Sequence, residues 1–200
     1  MPQPTSRRDW LKLTAALAAG AGFSNTSFAE TGKRLPGGMI LLNSNENAYG
    51  PSANTVKAMM EAAHLSNRYP DDIMPLLKKE LAAHWNIGPE HLLFGAGSSE
   101  LLGQTVLLAI RGKKNIVTPF PTFNSWFKIA ELMGCTLKKI DVNPTDKSIN
   151  LDALLKAIDA ETGMVYICNP NNPTGTIIED KLLRSFVAEC SKKTMVLVDE

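Results

Sequence analysis

The sequence predicts an α/β fold with a doubly wound, mostly parallel sheet, and three observations predict it. Short apolar runs of strand length alternate with segments of helical length from about residue 40 to residue 200. The apolar runs 164–168 and 195–198 flank a helical stretch at 177–191; strand, helix, strand is a βαβ unit, whose two strands lie parallel. Both runs also end in polar residues, Asn169 to Asn172 on one and Asp199 on the other. Polar groups at the C-terminal ends of parallel strands face the edge where open α/β sheets bind ligands.

The 200 residues are 44% hydrophobic and 20% charged, enough for one domain with a real core. The net charge is +1, with both signs interspersed, so no basic stripe points to nucleic acid. Cys135, Cys168 and Cys190 have no metal-ligand spacing and read as small buried hydrophobes. His64, His84 and His91 are scattered and read as ordinary histidines.

Residues 1–29 read as a targeting segment rather than part of the fold. Ser6-Arg7-Arg8-Asp9-Trp10-Leu11-Lys12 precedes an Ala-rich apolar run at 13–23, and Ser27-Phe28-Ala29 offers the small residues a signal peptidase reads. The apolar run is too short to span a bilayer as a stable helix. The arginine pair followed by an aromatic residue and Leu resembles a twin-arginine export signal, an ordinary secretory signal being the alternative. The expectation is a bacterial protein exported to the periplasm or beyond.

Residues 30–50 form an arm: a polar linker, a short strand-like run at 40–42, and a loop, Asn43-Ser44-Asn45-Glu46-Asn47-Ala48-Tyr49-Gly50-Pro51. Ser52 or Asn54 can cap a helix reaching about His64. Asp71 or Asp72 opens a second helix to Trp85, with Met74, Leu77, Leu81 and Trp85 near one face. A strand is expected at 91–94, a helix at 101–110 and a strand at 115–118. A helix at 126–133, a strand at 135–140 and a helix at 151–158 complete the series before the βαβ unit.

Four loops at the expected edge carry chemistry. Gly97-Ser98-Ser99, between a strand and a helix, offers free first-turn N–H groups, a favourable dipole and two hydroxyls, which together suit an anion; a plain helix-capping turn is the alternative. Phe123, after the extended Pro119-Phe120-Pro121, is the aromatic expected to be most exposed there, to stack on a flat ligand or to pack the loop. Asn172 is an amide for a polar ring substituent or a turn residue, and Asp199 a carboxylate for a cationic ring or a helix cap.

These pieces resemble, in order, the fold type I, class I/II pyridoxal-phosphate aminotransferases, and their histidinol-phosphate aminotransferase branch in particular. The resemblance rests on the Asn43–Pro51 string, with Ala48 where Pro is usual, and on Tyr69-Pro70-Asp71 and Gly97-Ser98-Ser99-Glu100. It continues through Pro121-Thr122-Phe123, Asn169-Pro170-Asn171-Asn172-Pro173-Thr174-Gly175 and Val198-Asp199-Glu200.

The resemblance implies that residues 51–200 are the N-terminal part of a large, three-layer α/β/α domain that binds pyridoxal 5'-phosphate. Gly97, Ser98 and Ser99 would hold the phosphate, Phe123 the ring face, Asn172 the phenolic oxygen and Asp199 the ring nitrogen. Tyr49 would reach the phosphate of a neighbouring subunit in a homodimer. The implied activity moves an amino group between an amino acid or amino-alcohol phosphate and a 2-oxo acid; a related decarboxylase and a non-catalytic cofactor-binding module are the alternatives. The lysine that carries the cofactor as a Schiff base is expected beyond Glu200, so this chain alone is expected to be inactive, and Ser125-x-x-Lys128 reads as a chance match.

Overall fold

The computed structural model describes residues 43–47 and 49–200. The targeting segment at 1–29 and the strand-like run at 40–42 lie outside the described residues. The described residues divide into two units between Leu77 and Lys78, the second being Lys78–Glu200.

In the first unit, Asn47 orders a turn. Its Oδ1 accepts from the Tyr49 N–H at 3.0 Å and its Nδ2 donates to the Gly50 carbonyl at 3.2 Å. Helix α1 (Ala53–Ala62) starts where the sequence places it: Ser52 Oγ accepts from the Thr55 N–H at 3.2 Å. A 3₁₀ turn, Ala63–Leu65, continues it.

Helix α2 (Ile73–Trp85) crosses the boundary between the units. Its covered positions are Met74, Lys78, Leu81 and Ala82, whereas Leu77 and Trp85 are exposed. The covered face is therefore rotated by about one residue from the predicted apolar face, towards Ala82.

The second unit holds α3 (Ser98–Ala109), β1 (Asn115–Phe120), α4 (Phe127–Leu132), β2 (Thr136–Asp141) and α5 (Leu151–Ala157). It ends with β3 (Thr162–Cys168), α6 (Asp180–Cys190) and β4 (Met195–Asp199). All pairings are parallel, in the order β2-β1-β3-β4. The predicted strand at 91–94 is absent. Pro89–His91 is a 3₁₀ turn, and Leu92 to Phe94 pair with no strand among the described residues. An apolar run becomes a strand only where a neighbour satisfies its backbone.

Alternation along the strands divides the core into two layers. Ile116, Met164, Tyr166 and Cys168 pack with α3 and α4 through Leu102, Val106, Trp126 and Phe127. Val117, Val165 and Ile167 pack on the other face with Leu154 of α5 and Leu183 and Phe186 of α6. β3, covered on both faces, is buried along its whole length, which explains its continuous apolar run. Side chains cap two helices of the second unit: Asn150 accepts from the Ala153 N–H on α5 and Glu179 from the Leu182 N–H on α6. The three cysteines are free and buried, as the sequence indicates.

Two consequences of this topology position a site. First, β1 connects outward to β2 and the chain then returns across the sheet to β3, so the switch point lies between β1 and β3. Second, α3 is seated at its far end on the start of β3: a Cβ added at Gly163 would lie 2.0 Å from the Ala109 carbonyl oxygen. Leu102, Val106 and Ala109 then run along one face of the sheet. The first turn of α3 is thus directed towards the C-terminal ends of the strands.

Candidate active site

Gly97 sits at φ 83°, left-handed backbone that favours glycine, and a Cβ there would meet nothing within 4 Å. It caps α3 without a side-chain hydrogen bond, so the first-turn N–H groups at Ser98 and Ser99 keep their capacity for an anion. Glu100 sits in the same turn; its carboxylate accepts from the Ala96 N–H and from Gln104 Nε2. That carboxylate tightens the turn and places one negative charge beside any anion bound there.

At the switch point, β1 runs into Phe120, Pro121, Thr122 and Phe123. Phe123 is half-buried against the α3–α4 core layer, while Phe120 is 41% exposed. The expectation that Phe123 is the most exposed aromatic at this edge is corrected: its neighbours in the core hold it half-buried, and Phe120 is the more exposed of the two. From the β3 side comes Asn171, only 1% exposed. Its Oδ1 accepts from Thr122 Oγ1 at 2.8 Å, and its Nδ2 donates to the Pro121 carbonyl at 3.1 Å and to Thr174 Oγ1 at 2.8 Å. Asn171 fastens the two loops of the switch point together. Its neighbour Asn172 is half-buried, with no side-chain hydrogen bond among the described residues, and so is free for a ligand.

Asp199 ends β4 opposite Cys168, and its carbonyl accepts from the Asn169 N–H at 2.9 Å. Met195 and Leu197 pack against the α3–α4 layer, and alternation puts Asp199 on the same face as the first turn of α3. Tyr166 Oη donates to Asp199 Oδ2 at 2.7 Å. Burial pushes the Tyr166 phenol far up, and the bond to Asp199 and its charge push it further, so the hydroxyl stays a donor. Among the described residues Asp199 has no salt-bridge partner. It is a carboxylate held on one oxygen and available to a cation on the other.

The structure thus brings Asn172 and Asp199 to the ends of adjacent strands. Phe123 lies across the switch point, and the Gly97-Ser98-Ser99 turn is directed to the same edge. Tyr49 belongs to the first unit, where it is 98% exposed on the Asn47 turn. Sequence reasoning missed Tyr166, Thr122 and Asn171. The signal for Tyr166 was a hydroxyl in an otherwise apolar buried strand, which needs a partner. An open depression of about 580 Å³ at the end of β2, lined by Asp141, Asn143 and Asp152 among others, contains none of these residues.

Comparison with known proteins agrees with this geometry. The family described as aminotransferase class I and II matches residues 37–200. A histidinol-phosphate aminotransferase of Bacillus subtilis is 36% identical over 162 residues, 81% of this chain and 45% of that protein. One from Leuconostoc mesenteroides is 35% identical over 160 residues, 80% of this chain and 45% of that protein. The crystal structure of histidinol-phosphate aminotransferase from Sinorhizobium meliloti, in complex with pyridoxal-5'-phosphate, superposes with a TM-score of 0.72 at 27% identity. That superposition covers 78% of this chain and 42% of the other. The chain spans about half the length of the relatives it matches. With the fold, the order of the motifs and the family match in agreement, the chain belongs to the class I and II aminotransferases.

Proposed function

We propose that this chain forms the cofactor-holding part of a pyridoxal-phosphate-dependent transaminase, which moves an amino group between an amino acid or amino-alcohol phosphate and a 2-oxo acid. One observation carries the reading: Asp199 ends β4 as a carboxylate with one oxygen held by Tyr166 and, among the described residues, no cation paired with it. The other residues fit the same group. The first turn of α3 is open and uncapped for a phosphate, and the Gly97 position leaves room for close approach.

Gly97, Ser98 and Ser99 would hold the phosphate, Phe123 would lie against the ring, and Asn172 would donate to the phenolic oxygen. Asp199 would keep the ring nitrogen protonated. When bound, the cofactor supplies a ring that accepts the electron pair left by a substrate's α-proton. Phe123, Asn172 and Asp199 would orient that ring and fix its charge. Tyr49, fully exposed, is suited to reach the phosphate site of a second subunit in a homodimer. The arginine-pair segment supports export in folded form, which suits a protein that takes up its cofactor first.

The test is Asp199→Ala in a cofactor-loaded protein that also carries the Schiff-base lysine. Loss of α-deuterium exchange from the amino donor should be at least about 100-fold, within the range of a lost electrostatic or proton-handling group. Cofactor affinity should fall much less. Equal loss of both would remove Asp199 from the reaction and leave it as an anchor.

A further inference from the structure

We propose that Tyr166 is a positioning residue that sets where the proton rests between Asp199 and the ring nitrogen. The proposal rests on the reading of Asp199 given above. Tyr166 is 0% exposed in the middle of β3, a strand that is otherwise buried and largely apolar. Packing alone would be served by Phe; a buried hydroxyl is costly unless it is bonded. Its partner is Asp199 Oδ2, reached diagonally across the strand pair, since Tyr166 stands opposite Leu197 and Cys168 opposite Asp199. The ring is fixed by Trp126, 4.9 Å away between centroids, and Trp126 in turn by Phe127 at 4.6 Å.

Two effects follow. With Oδ2 occupied, Oδ1 is left for the ring nitrogen, so the hydroxyl selects which oxygen faces the cofactor. A hydrogen bond donated to a carboxylate also stabilises its charged form. A proton shared between Asp199 and a pyridine nitrogen is therefore held on the nitrogen, as a charged pair. Without the phenol, the neutral pair of carboxylic acid and pyridine gains ground.

The experiment loads the protein with pyridoxal phosphate labelled with ¹⁵N in the ring and reads the nitrogen chemical shift, which differs widely between pyridinium and pyridine. The unaltered protein should give the pyridinium signal. Tyr166→Phe keeps the ring and its packing; it should move the signal part of the way to pyridine while cofactor affinity stays nearly unchanged. 3-Fluorotyrosine at position 166, a stronger donor of similar size, should leave the signal fully at pyridinium. If Asp199→Ala moves the signal and Tyr166→Phe does not, the role of Tyr166 is overturned while that of Asp199 stands. If Asp199→Ala itself leaves the signal unmoved, the reading of Asp199 fails and the proposal fails with it.

Discussion

Two adjacent asparagines should separate stability from function. Asn171 is buried and makes three side-chain hydrogen bonds, to Thr122, the Pro121 carbonyl and Thr174. At roughly 1 kcal/mol net for each bond, Asn171→Ala should destabilise the protein by about 3 kcal/mol. Leaving the buried Thr122 hydroxyl without its acceptor adds to that figure rather than relieving it. With a urea dependence of about 2 kcal/mol per molar, the unfolding midpoint should drop by roughly 1–2 M. Asn172→Ala, at a half-buried side chain with no such bond, should stay within about 0.5 kcal/mol of the parent. That variant should instead lose pyridoxal phosphate affinity, about 10-fold for one hydrogen bond. Urea unfolding followed by far-UV circular dichroism measures the first pair of numbers and cofactor titration the second. Equal midpoints for the two variants would refute the division of labour, and so would an Asn171→Ala protein as stable as its parent.

Gly163→Ala should lower the melting temperature by several degrees: its Cβ would lie 2.0 Å from a backbone oxygen of α3, and overpacking of this kind costs about 1–3 kcal/mol. Calorimetry reads it directly, and an unchanged melting temperature would show that α3 is not seated there. Asp159 accepts from Lys138, Asn115, Thr162 and the Glu161 N–H, and these bonds hold its carboxyl well below the usual range. Its folded pKa is depressed, so its contribution is complete above the unfolded value of about 4 and is lost as pH falls below it. Urea midpoints of Asp159→Asn and the parent should therefore differ most at pH 7, and the difference should start to shrink only below about pH 4 and still be present at pH 3. Burial pushes the Cys190 thiol up to about 11, and Cys135 is raised by burial as well. Both should resist a thiol reagent at pH 8 in the native protein and react once it is unfolded in urea, as absorbance of the released chromophore would show.

The parts of the fold governed by local pattern were legible in the sequence. The runs at 164–168 and 195–198 became β3 and β4 because an apolar stretch of that length between polar loops has few other ways to be buried. Ser52 caps α1 by chemistry that needs three residues of context. What was not legible depended on neighbours distant in sequence. Leu92 to Phe94 carry a strand-like pattern without a partner strand. Nothing in the dipeptide Asn171-Asn172 says which amide turns inward; the Thr122 hydroxyl, 49 positions earlier, decides it. The bond from Tyr166 to Asp199 requires the register of β3 against β4, which only the folded sheet supplies. Phe123 was placed at the correct edge, but its exposure was set by the α3–α4 layer beneath it.

The contact between Ala109 and Gly163 acts as a fulcrum. From there α3 extends as a rigid rod of 12 residues, about 18 Å long. A tilt of only ~5° at the pivot would swing Ser98 and Ser99 by ~1.5 Å, and displacements near 1 Å are enough to spoil an aligned reaction. Accuracy at the phosphate-facing tip is therefore governed from the opposite end of the strands, by a glycine that touches no ligand.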